Sequence, residues 1–226
     1  MPPTQAAEKK KQQILKAAHA VLIKHGYAAT TINQVSAEAG VSRGLLHYYF
    51  KNKEEMLAMV LRSGMENTIK LTRSLFASAH SAEDLAAGIS SVLRETFRVD
   101  PDLFRLFFES GAMARQSPLI AEELRKLYAD FREMVARELG GLVERQVIAP
   151  VLPLDGISVM LTGIIDAVWF QLVAEPDLCN RPSVWQAAET AVYALLTSTA
   201  TGKDGNPRKV PYRGCVFVAP AERSKP

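Results

Sequence analysis

The sequence predicts an all-α protein of about nine helices, and three observations lead to this fold class. Ala and Leu abound in long stretches free of proline, and aromatic residues make up only 8% of the chain, which favours helices over sheets. Apolar residues recur at helical spacing, and side chains that cap helix starts recur between those stretches. With 226 residues, 48% of them hydrophobic, the chain is long enough to bury a sizeable core.

The first helix follows from one apolar stripe, and Gly26 is expected to end it. The stripe consists of Ile14, Ala18, Val21, Leu22 and His25. Three further starts lie within the first 75 residues: Thr31 with Gln34 in a capping-box pattern, Ser42, and Asn52 with Glu55. The second helix should stop at Gly40 and the third at about Phe50, so this segment is expected to hold four helices.

The body of the chain shows five more helix starts, each a capping residue followed by proline or a polar first turn. They are Ser81, Asp100, Ser117, Asp155 and Ser183. The helices expected from them lie near 82–98, 101–114, 118–145, 155–175 and 183–200. Residues 201–226 are rich in Gly, Pro and charge, and we expect a flexible tail there.

Charge is divided between the parts of the chain. Residues 1–53 hold eight Lys and Arg against two acidic residues, a net charge of +6, whereas residues 54–200 carry −7 and residues 201–226 carry +4. A basic N-terminal head on an acidic body indicates that the head meets a polyanion while the body does something else. Chance surface charge is the alternative.

Two cysteines offer neither a disulfide framework nor a metal-ligand spacing, and no cofactor is expected. The polar N-terminus has no apolar signal-peptide core, so we expect a cytoplasmic protein. The apolar run from Ile157 to Ala174 is at the lower limit for spanning a bilayer, but Asp166 lies in its middle. A packing helix with no membrane partner is therefore expected.

The segment from about 31 to 50 has the helix-turn-helix pattern, in which two short helices flank a glycine-containing turn. On the second of these helices, Leu46 and Phe50 fall on one side and Gly44, His47 and Tyr48 on the other. The first side is expected to be core and the second a contact face. Arg43, in the first turn, is suited to guanine, and Gly44 would let the backbone lie close to a DNA duplex.

Residues Lys10 to Leu61, and above all "TTINQVSAEAGVSRGLLHYYFKNKEEML", resemble the DNA-binding domain of the TetR (tetracycline repressor-like) family of bacterial transcriptional regulators. His47 stands where that family more often has tyrosine. The resemblance implies binding to operator DNA, with phosphate contacts setting the register and base contacts the sequence. The expected DNA-binding residues are Thr31, Ser42, Arg43, Gly44, Leu45, His47, Tyr48, Tyr49 and Lys53.

Two helices of the body carry more apolar surface than one neighbour can cover, which predicts a two-fold homodimer closed by a four-helix interface. The expected interface residues are Val159, Gly163, Trp185, Ala188, Val192 and Leu196. A dimer would present two recognition helices to a roughly palindromic operator. The expected division is a DNA-binding head over 8–75 and an effector-binding and dimerisation domain over 76–200.

The resemblance also implies a small-molecule effector bound within the body, and the apolar character of the candidate residues indicates a hydrophobic one. The candidate pocket residues are Phe97, Phe104, Phe107, Phe108, Met113, Leu127, Phe131, Asp166, Trp169 and Phe170, each of which can instead be plain core. Asp166 is expected to meet either a polar ligand group or an arginine across the dimer interface.

The function predicted is a ligand-responsive repressor released from its operator by the effector. One alternative is a helix-turn-helix architectural protein or activator without an effector, which a closed and fully packed body would favour over a cavity of several hundred Å³. An enzyme with an incidental helix-turn-helix is the other alternative. All four histidines lie within the first 80 residues and no phosphate loop or nucleophile elbow is present, so no enzymatic activity is expected.

Overall fold

The computed structural model describes residues 5–197, and this range contains nine α-helices, one short 3₁₀ helix and no strand. The all-α prediction is confirmed, and the tail predicted over 201–226 lies outside the described residues. The helices are α1 Gln5–Ala29, α2 Ile32–Ala39, α3 Arg43–Tyr49, α4 Lys53–Ser78, α5 Ala82–Val99, α6 Pro101–Met113, α7 Pro118–Glu144, α8 Leu154–Ala174 and α9 Pro182–Thr197, with the 3₁₀ helix at Pro176–Asn180.

Six of the predicted helix starts are confirmed, because the capping side chain accepts a hydrogen bond from the backbone N–H three residues on. They are Thr31, Ser42, Asn52, Ser81, Asp100 and Ser117. The starts at Asp155 and Ser183 are wrong, since α8 begins at Leu154 after Pro153 and α9 begins at Pro182. Proline fixes φ near the helical value, so the helix can start there without a side-chain cap.

Gly26 interrupts α1 as predicted, with φ 71° and ψ 164°, but one further helical turn follows it to Ala29. This left-handed φ suits glycine, which has no Cβ. The Thr30 hydroxyl donates to the Gly26 carbonyl at 2.8 Å and ties the turn back to the helix. His25, expected on the apolar stripe, is exposed.

The head is formed by α1, α2, α3 and the N-terminal half of α4 around one core. Its fully buried side chains include Ile14, Leu22, Val35, Leu46 and Phe50. Helix α4 runs without a break through the domain boundary expected at residue 75. The head is therefore joined to the body by a continuous helix instead of a linker.

The body packs α5 to α9 around the C-terminal part of α4. Helix α7 lies between α4 and α8, and α5 packs on both α4 and α9. Helix α6 contacts α1, α4, α7 and α8. Its position gives it contacts with the head on one side and with the core of the body on the other.

Candidate DNA-binding surface and effector domain

The turn between α2 and α3 is fixed by backbone geometry and two caps. Gly40 adopts the left-handed conformation, φ 60° and ψ 39°, that favours glycine at the end of a helix. The next amide, of Val41, donates to the Ser36 carbonyl at 3.0 Å. Ser42 then accepts a hydrogen bond from the Leu45 amide at 3.3 Å and starts α3. These contacts fix the angle between the two helices.

Helix α3 has the two faces that its sequence predicts. Leu46 is fully buried, and Phe50, which follows the helix, is 1% exposed. On the opposite side Arg43, Gly44, His47 and Tyr48 face solvent, Tyr48 with 81% of its surface exposed. Leu45 and Tyr49 are half-buried on the flanks. Buried anchors thus hold a short helix with its polar and aromatic side turned outward.

Nothing within residues 5–197 requires a glycine at position 44. A Cβ placed there would have one neighbour within 4 Å, the Ser42 hydroxyl at 4.0 Å, and its φ is not in the left-handed region. Glycine in a helix is less stable than alanine by up to about 1 kcal/mol. Contacts within the described residues therefore do not account for the glycine.

The two tyrosines of α3 differ in their freedom. Their rings meet edge to face with centroids 5.3 Å apart, and the Tyr49 hydroxyl donates to the Ala7 carbonyl of α1 at 3.4 Å. This contact brings the N-terminal turns of α1 next to the end of α3. The Lys9-Lys10-Lys11 run lies on these N-terminal turns of α1.

Lys53, expected to bind phosphate, is already engaged within the head. Its ammonium donates to the carbonyls of Tyr27 at 2.8 Å and Ala28 at 3.1 Å and lies 4.4 Å from the centre of the Tyr27 ring. Two of its three donors are therefore used to join α4 to the end of α1. Lys51, exposed between α3 and α4, was not singled out from the sequence. Its positive charge next to the Asn52 cap is the sequence feature that could have marked it as a candidate phosphate ligand.

The hydroxyl of Thr31 is likewise used locally, because it accepts from the Gln34 amide at 3.3 Å and contacts the Gln34 side chain at 2.8 Å. Thr31 and Ser42 remain exposed despite these bonds. Seven of the nine predicted DNA-binding residues cap or form α3, whereas Thr31 caps α2 and Lys53 begins α4.

The junction between head and body is built around the start of α6. One carboxylate oxygen of Asp100 accepts from the Leu103 amide at 3.1 Å, and the other lies 3.6 Å from His19 Nε2 of α1, within ion-pair range but beyond a hydrogen bond. The Leu103 side chain lies directly on Gly64 of α4, where a Cβ would collide with it. A solvent-open cleft of about 600 Å³ lies between α1, α4 and α6.

A second tie between α4 and the body is the pair formed by Arg62 and Glu123. The guanidinium makes three hydrogen bonds of 2.6 to 2.8 Å to the carboxylate, whose side chain is 9% exposed. A buried carboxylate held by a planar fork of donors restricts the geometry more than a surface pair does. Helix α4 is therefore clamped to α7 just below the head.

The body contains an apolar cavity of about 30 Å³ between α4, α5, α7 and α8. This is about the space that one or two water molecules fill and far below several hundred Å³. Its walls carry no charged side chain, and their polar groups are Thr68, Thr72, Thr96 and Trp169. The threonines were not identified from the sequence; the signal available was the i, i+4 spacing of Thr68 and Thr72 on one face of α4.

The ten predicted pocket residues do not form one site. Phe131 and Trp169 line the cavity, and Phe104 of α6 lies next to Trp169. Phe97, Phe107 and Leu127 are buried, whereas Phe108 and Met113 are half-buried. Phe170 is 58% exposed and meets Phe108 edge to face at 5.2 Å, so its assignment to a pocket is wrong for the protomer.

Asp166 is half-buried and faces α7 of its own chain. Burial raises the pKa of its carboxyl to about 6, against the lowering effect of a hydrogen bond from Tyr128 and of the nearby Arg132. Burial and the Asp166 carboxylate together raise the pKa of the Tyr128 hydroxyl. The arginine near Asp166 thus belongs to the same protomer. One of the two expectations for Asp166 had placed an arginine across the dimer interface.

Four of the predicted interface residues are instead core of the protomer. Trp185, Ala188, Val192 and Leu196 are between 0% and 6% exposed, on the side of α9 that packs against α5. Since they are covered by their own chain, they cannot meet a partner, and that part of the assignment is wrong. The Trp185 indole N–H also donates to the Cys179 carbonyl at 2.8 Å.

The outer face of α8 is the uncovered apolar surface of the body. Val159, Met160 and Phe170 are 52%, 54% and 58% exposed, and a Cβ at Gly163 would meet nothing within 4 Å. Among the described residues, Leu154–Ala174 is also the helix long and apolar enough to cross a membrane; its most apolar 18-residue stretch has a mean hydropathy of 1.8, and 33% of that stretch is buried. The expected packing helix thus has one face covered within the protomer and one face open.

Two family models match this chain. Residues 14–60 match bacterial regulatory proteins of the tetR family, and residues 81–197 match the C-terminal domain of BetI-type transcriptional repressors. The first range contains the helix-turn-helix, and the second contains α5 to α9.

Relatives cover most of the chain. The HTH-type transcriptional regulator YfiR of Bacillus subtilis is 30% identical over 165 residues, which is 71% of this chain and 78% of that protein. BetI of Rhizobium meliloti is 25% identical over 92% of this chain and all of its own length. The crystal structure of FadR from Bacillus subtilis in complex with stearoyl-CoA aligns with a TM-score of 0.66 at 18% identity, over 82% of this chain and 97% of that one.

Proposed function

Because the chain belongs to the TetR family of DNA-binding transcriptional regulators, we propose that it is a dimeric repressor released from its operator by a small hydrophobic effector. As a bacterial regulator it would act in the cytoplasm, where its operator lies. The observation that carries the DNA-binding part is the outward face of α3, where Arg43 and Gly44 begin the helix and no contact within the described residues requires the glycine.

On the operator, α3 would enter the major groove. Arg43 and His47 would read base edges, while Gly44 and Leu45 allow the helix to approach closely. Tyr48, Lys51 and the lysines of α1 would hold phosphates, and of these lysines Lys10 already donates to the Gln13 side chain at 3.0 Å. Lys53, Thr31, Ser42 and Tyr49 would add to binding mainly by holding the head in shape, since their polar atoms already have partners.

The dimer would close on the outer faces of α8 and α9. Val159, Met160, Gly163 and Phe170 supply an apolar stripe on α8, and exposed small residues such as Ala187 continue it on α9. Burying this surface against a second copy explains a helix of such high hydropathy without a membrane. Two-fold symmetry would present one α3 from each protomer to a roughly palindromic operator.

Effector control would act through α6. This helix touches Trp169 at the cavity through Phe104, α4 through Leu103, and the head through Asp100 and His19. A ligand that widens the cavity and displaces α6 would change the position of α1 and α4 in each protomer. It would loosen DNA binding by favouring a head separation that does not match the operator.

The narrow cavity is compatible with this proposal. An unfilled apolar cavity of 300 Å³ would cost about 7 kcal/mol at about 24 cal/mol per Å³, so its walls are expected to close wherever nothing separates them. An activator or architectural protein without an effector is the alternative that a closed body favours. The family of the chain and the continuity of contacts through α6 support ligand control over it.

Operator binding tests the proposal directly. We expect the full chain to bind the promoter region of its own gene, with an affinity that falls steeply as salt increases, and Arg43→Ala to lose about 1–3 kcal/mol of binding if it reads a guanine. Arg125→Ala, which removes the same charge from the body, is the matched control and should bind normally. Equal binding by both variants in fluorescence anisotropy would show that α3 does not read the operator.

A further inference from the structure

Two hydrogen bonds in series join Lys10 of α1 to the end of α2. The Lys10 ammonium donates to the Gln13 side-chain oxygen at 3.0 Å, and the Gln13 side-chain nitrogen donates to the Ala39 carbonyl at 2.8 Å. Carbonyl groups in the last turn of a helix lack partners within that helix, and Gln13 supplies one for α2. The Gln13 amide thus connects a lysine of α1 to a carbonyl 26 residues away.

The position of Lys10 follows from two ties between α1 and the helix-turn-helix. Gln13 holds α1 at the end of α2, and the Tyr49 hydroxyl at the end of α3 donates to the Ala7 carbonyl. Lys10 lies between these ties, about one helical turn from each. The first helix of a helix-turn-helix crosses the DNA backbone, so an ammonium held beside its end would lie close to phosphates.

The consecutive lysines of α1 do not share this position. Lys10 precedes the fully buried Ile14 by four residues, so it lies on the packed side of α1, and its side chain is half-buried. Lys9 lies about 100° further around the helix and is exposed. Gln13 accepts one of the three ammonium donors of Lys10, which leaves two for a phosphate among the bonds of the described residues.

We propose that Gln13 is a positioning residue for operator binding, which holds the Lys10 ammonium where it binds a phosphate of the DNA backbone. This rests on the proposed function and deepens it, because it names the lysine of α1 that contacts the operator and the group that places it. A lysine side chain that is already ordered loses less conformational freedom on binding than a free one does. Since phosphate contacts carry no sequence information, Lys10 contributes to affinity and register.

The salt dependence of operator binding distinguishes this role from a merely structural one. Each phosphate neutralised by a lysine adds about 0.9 to the slope of log affinity against log salt concentration. The full chain and its variants Lys10→Met, Gln13→Met and the double variant are titrated by anisotropy against a duplex from the promoter of its gene. The matched controls are Lys9→Met and Gln12→Met, since the Gln12 side chain bonds only to Glu8 of the same helix among the bonds described.

We expect Lys10→Met to lower the slope by about 0.9 per protomer and the affinity by about three- to tenfold per protomer. Gln13→Met should lower both quantities in the same direction. In the double variant it should add nothing to the loss that Lys10→Met causes. Both controls should keep the slope of the unaltered chain, and methionine keeps the helix propensity of the replaced side chains.

The inference is overturned if Lys10→Met keeps the slope of the unaltered chain, or if Lys9→Met lowers it equally. Weaker binding by Gln13→Met with an unchanged slope would also overturn it, because Gln13 would then only stabilise the end of α2. Lys10→Met removes no core contact, so its slope decides the matter even where Gln13→Met unfolds.

Arg43→Ala keeps the two proposals apart. Promoter binding that Arg43→Ala weakens, while Lys10→Met and Gln13→Met leave its slope unchanged, would overturn the role of Gln13 and leave the proposed function standing. No binding of promoter DNA by the unaltered chain would overturn both.

Discussion

Replacing Gly44 with alanine should make the protein more stable and worse at binding DNA. The added methyl group meets only the Ser42 hydroxyl at 4.0 Å within the protein, so it causes no clash. Alanine is the better helix former by up to about 1 kcal/mol, and about half of that applies near the start of a seven-residue helix. For a chain of this size the melting temperature should rise by about 1–2 °C.

The effect on DNA has the opposite sign because the methyl group would stand between the helix and the duplex. Forcing one extra carbon into a packed contact costs about 1–3 kcal/mol, which is about 5- to 150-fold in the dissociation constant. The substitution changes no charge. The dependence of binding on salt concentration should therefore stay the same while the affinity falls.

Anisotropy titrations of operator DNA at two salt concentrations, together with thermal unfolding by circular dichroism, measure both effects. Gly111→Ala is the matched control, because Gly111 is an exposed glycine in α6 whose added Cβ meets nothing within 4 Å. It should raise stability without weakening DNA binding. The assignment of the α3 face would be refuted if Gly44→Ala bound the operator as well as the unaltered chain did.

Three further predictions concern the head, the dimer and Asp166. Lys53→Ala should lower both the melting temperature and operator affinity, whereas Lys51→Ala should lower operator affinity alone; equal melting losses would contradict this. Gly163→Arg should give monomers in analytical ultracentrifugation and abolish operator binding; a stable dimer would exclude this face. Because the pKa of Asp166 is raised to about 6 from 3.8, its effect lowers the free energy of unfolding as pH rises from about 4 to 6. Asp166→Asn, which keeps an acceptor for Tyr128, should therefore gain about 1 kcal/mol at pH 7, after allowance for solvent screening, and nothing at pH 4 in urea titrations.

Helix boundaries were largely predictable because they depend on neighbours in sequence. Six of the predicted caps make their expected hydrogen bonds, and Gly26 and Gly40 take the left-handed conformations at which helices break. The errors at Asp155 and Ser183 have the same local character, since a proline one or two residues earlier started the helix instead.

The two faces of α3 were also predictable, because a helix of known register separates its residues by angle alone. The hydrogen-bond partner of each polar group was not predictable. Lys53 and Tyr49 have the residue types of phosphate ligands, yet their donors bond to carbonyl groups of α1, 25 or more and 42 residues away in sequence respectively. Such partners depend on how helices pack, and periodicity carries no information about them.

The body shows most clearly what the sequence could not predict, namely which sides of its apolar helices are covered. Both α8 and α9 are apolar on more than one side, so the sequence indicated an excess of apolar surface but could not assign its sides. Packing of α9 against α5 covers Trp185 and Val192, which were expected at the dimer interface. Phe170 of α8, which was expected in the pocket, is exposed instead.

The sequence by itself determined the helices, the helix-turn-helix and the family, since these follow from local backbone chemistry and from a motif some fifty residues long. Only the tertiary structure decided which apolar residues are core, which face is free for a partner, and which polar side chains pair across helices. These depend on side chains from helices distant in sequence, such as Asp100 with His19, Arg62 with Glu123, and Trp169 at the cavity. Burial and pairing are properties of the packed molecule, whereas propensity and periodicity belong to the chain.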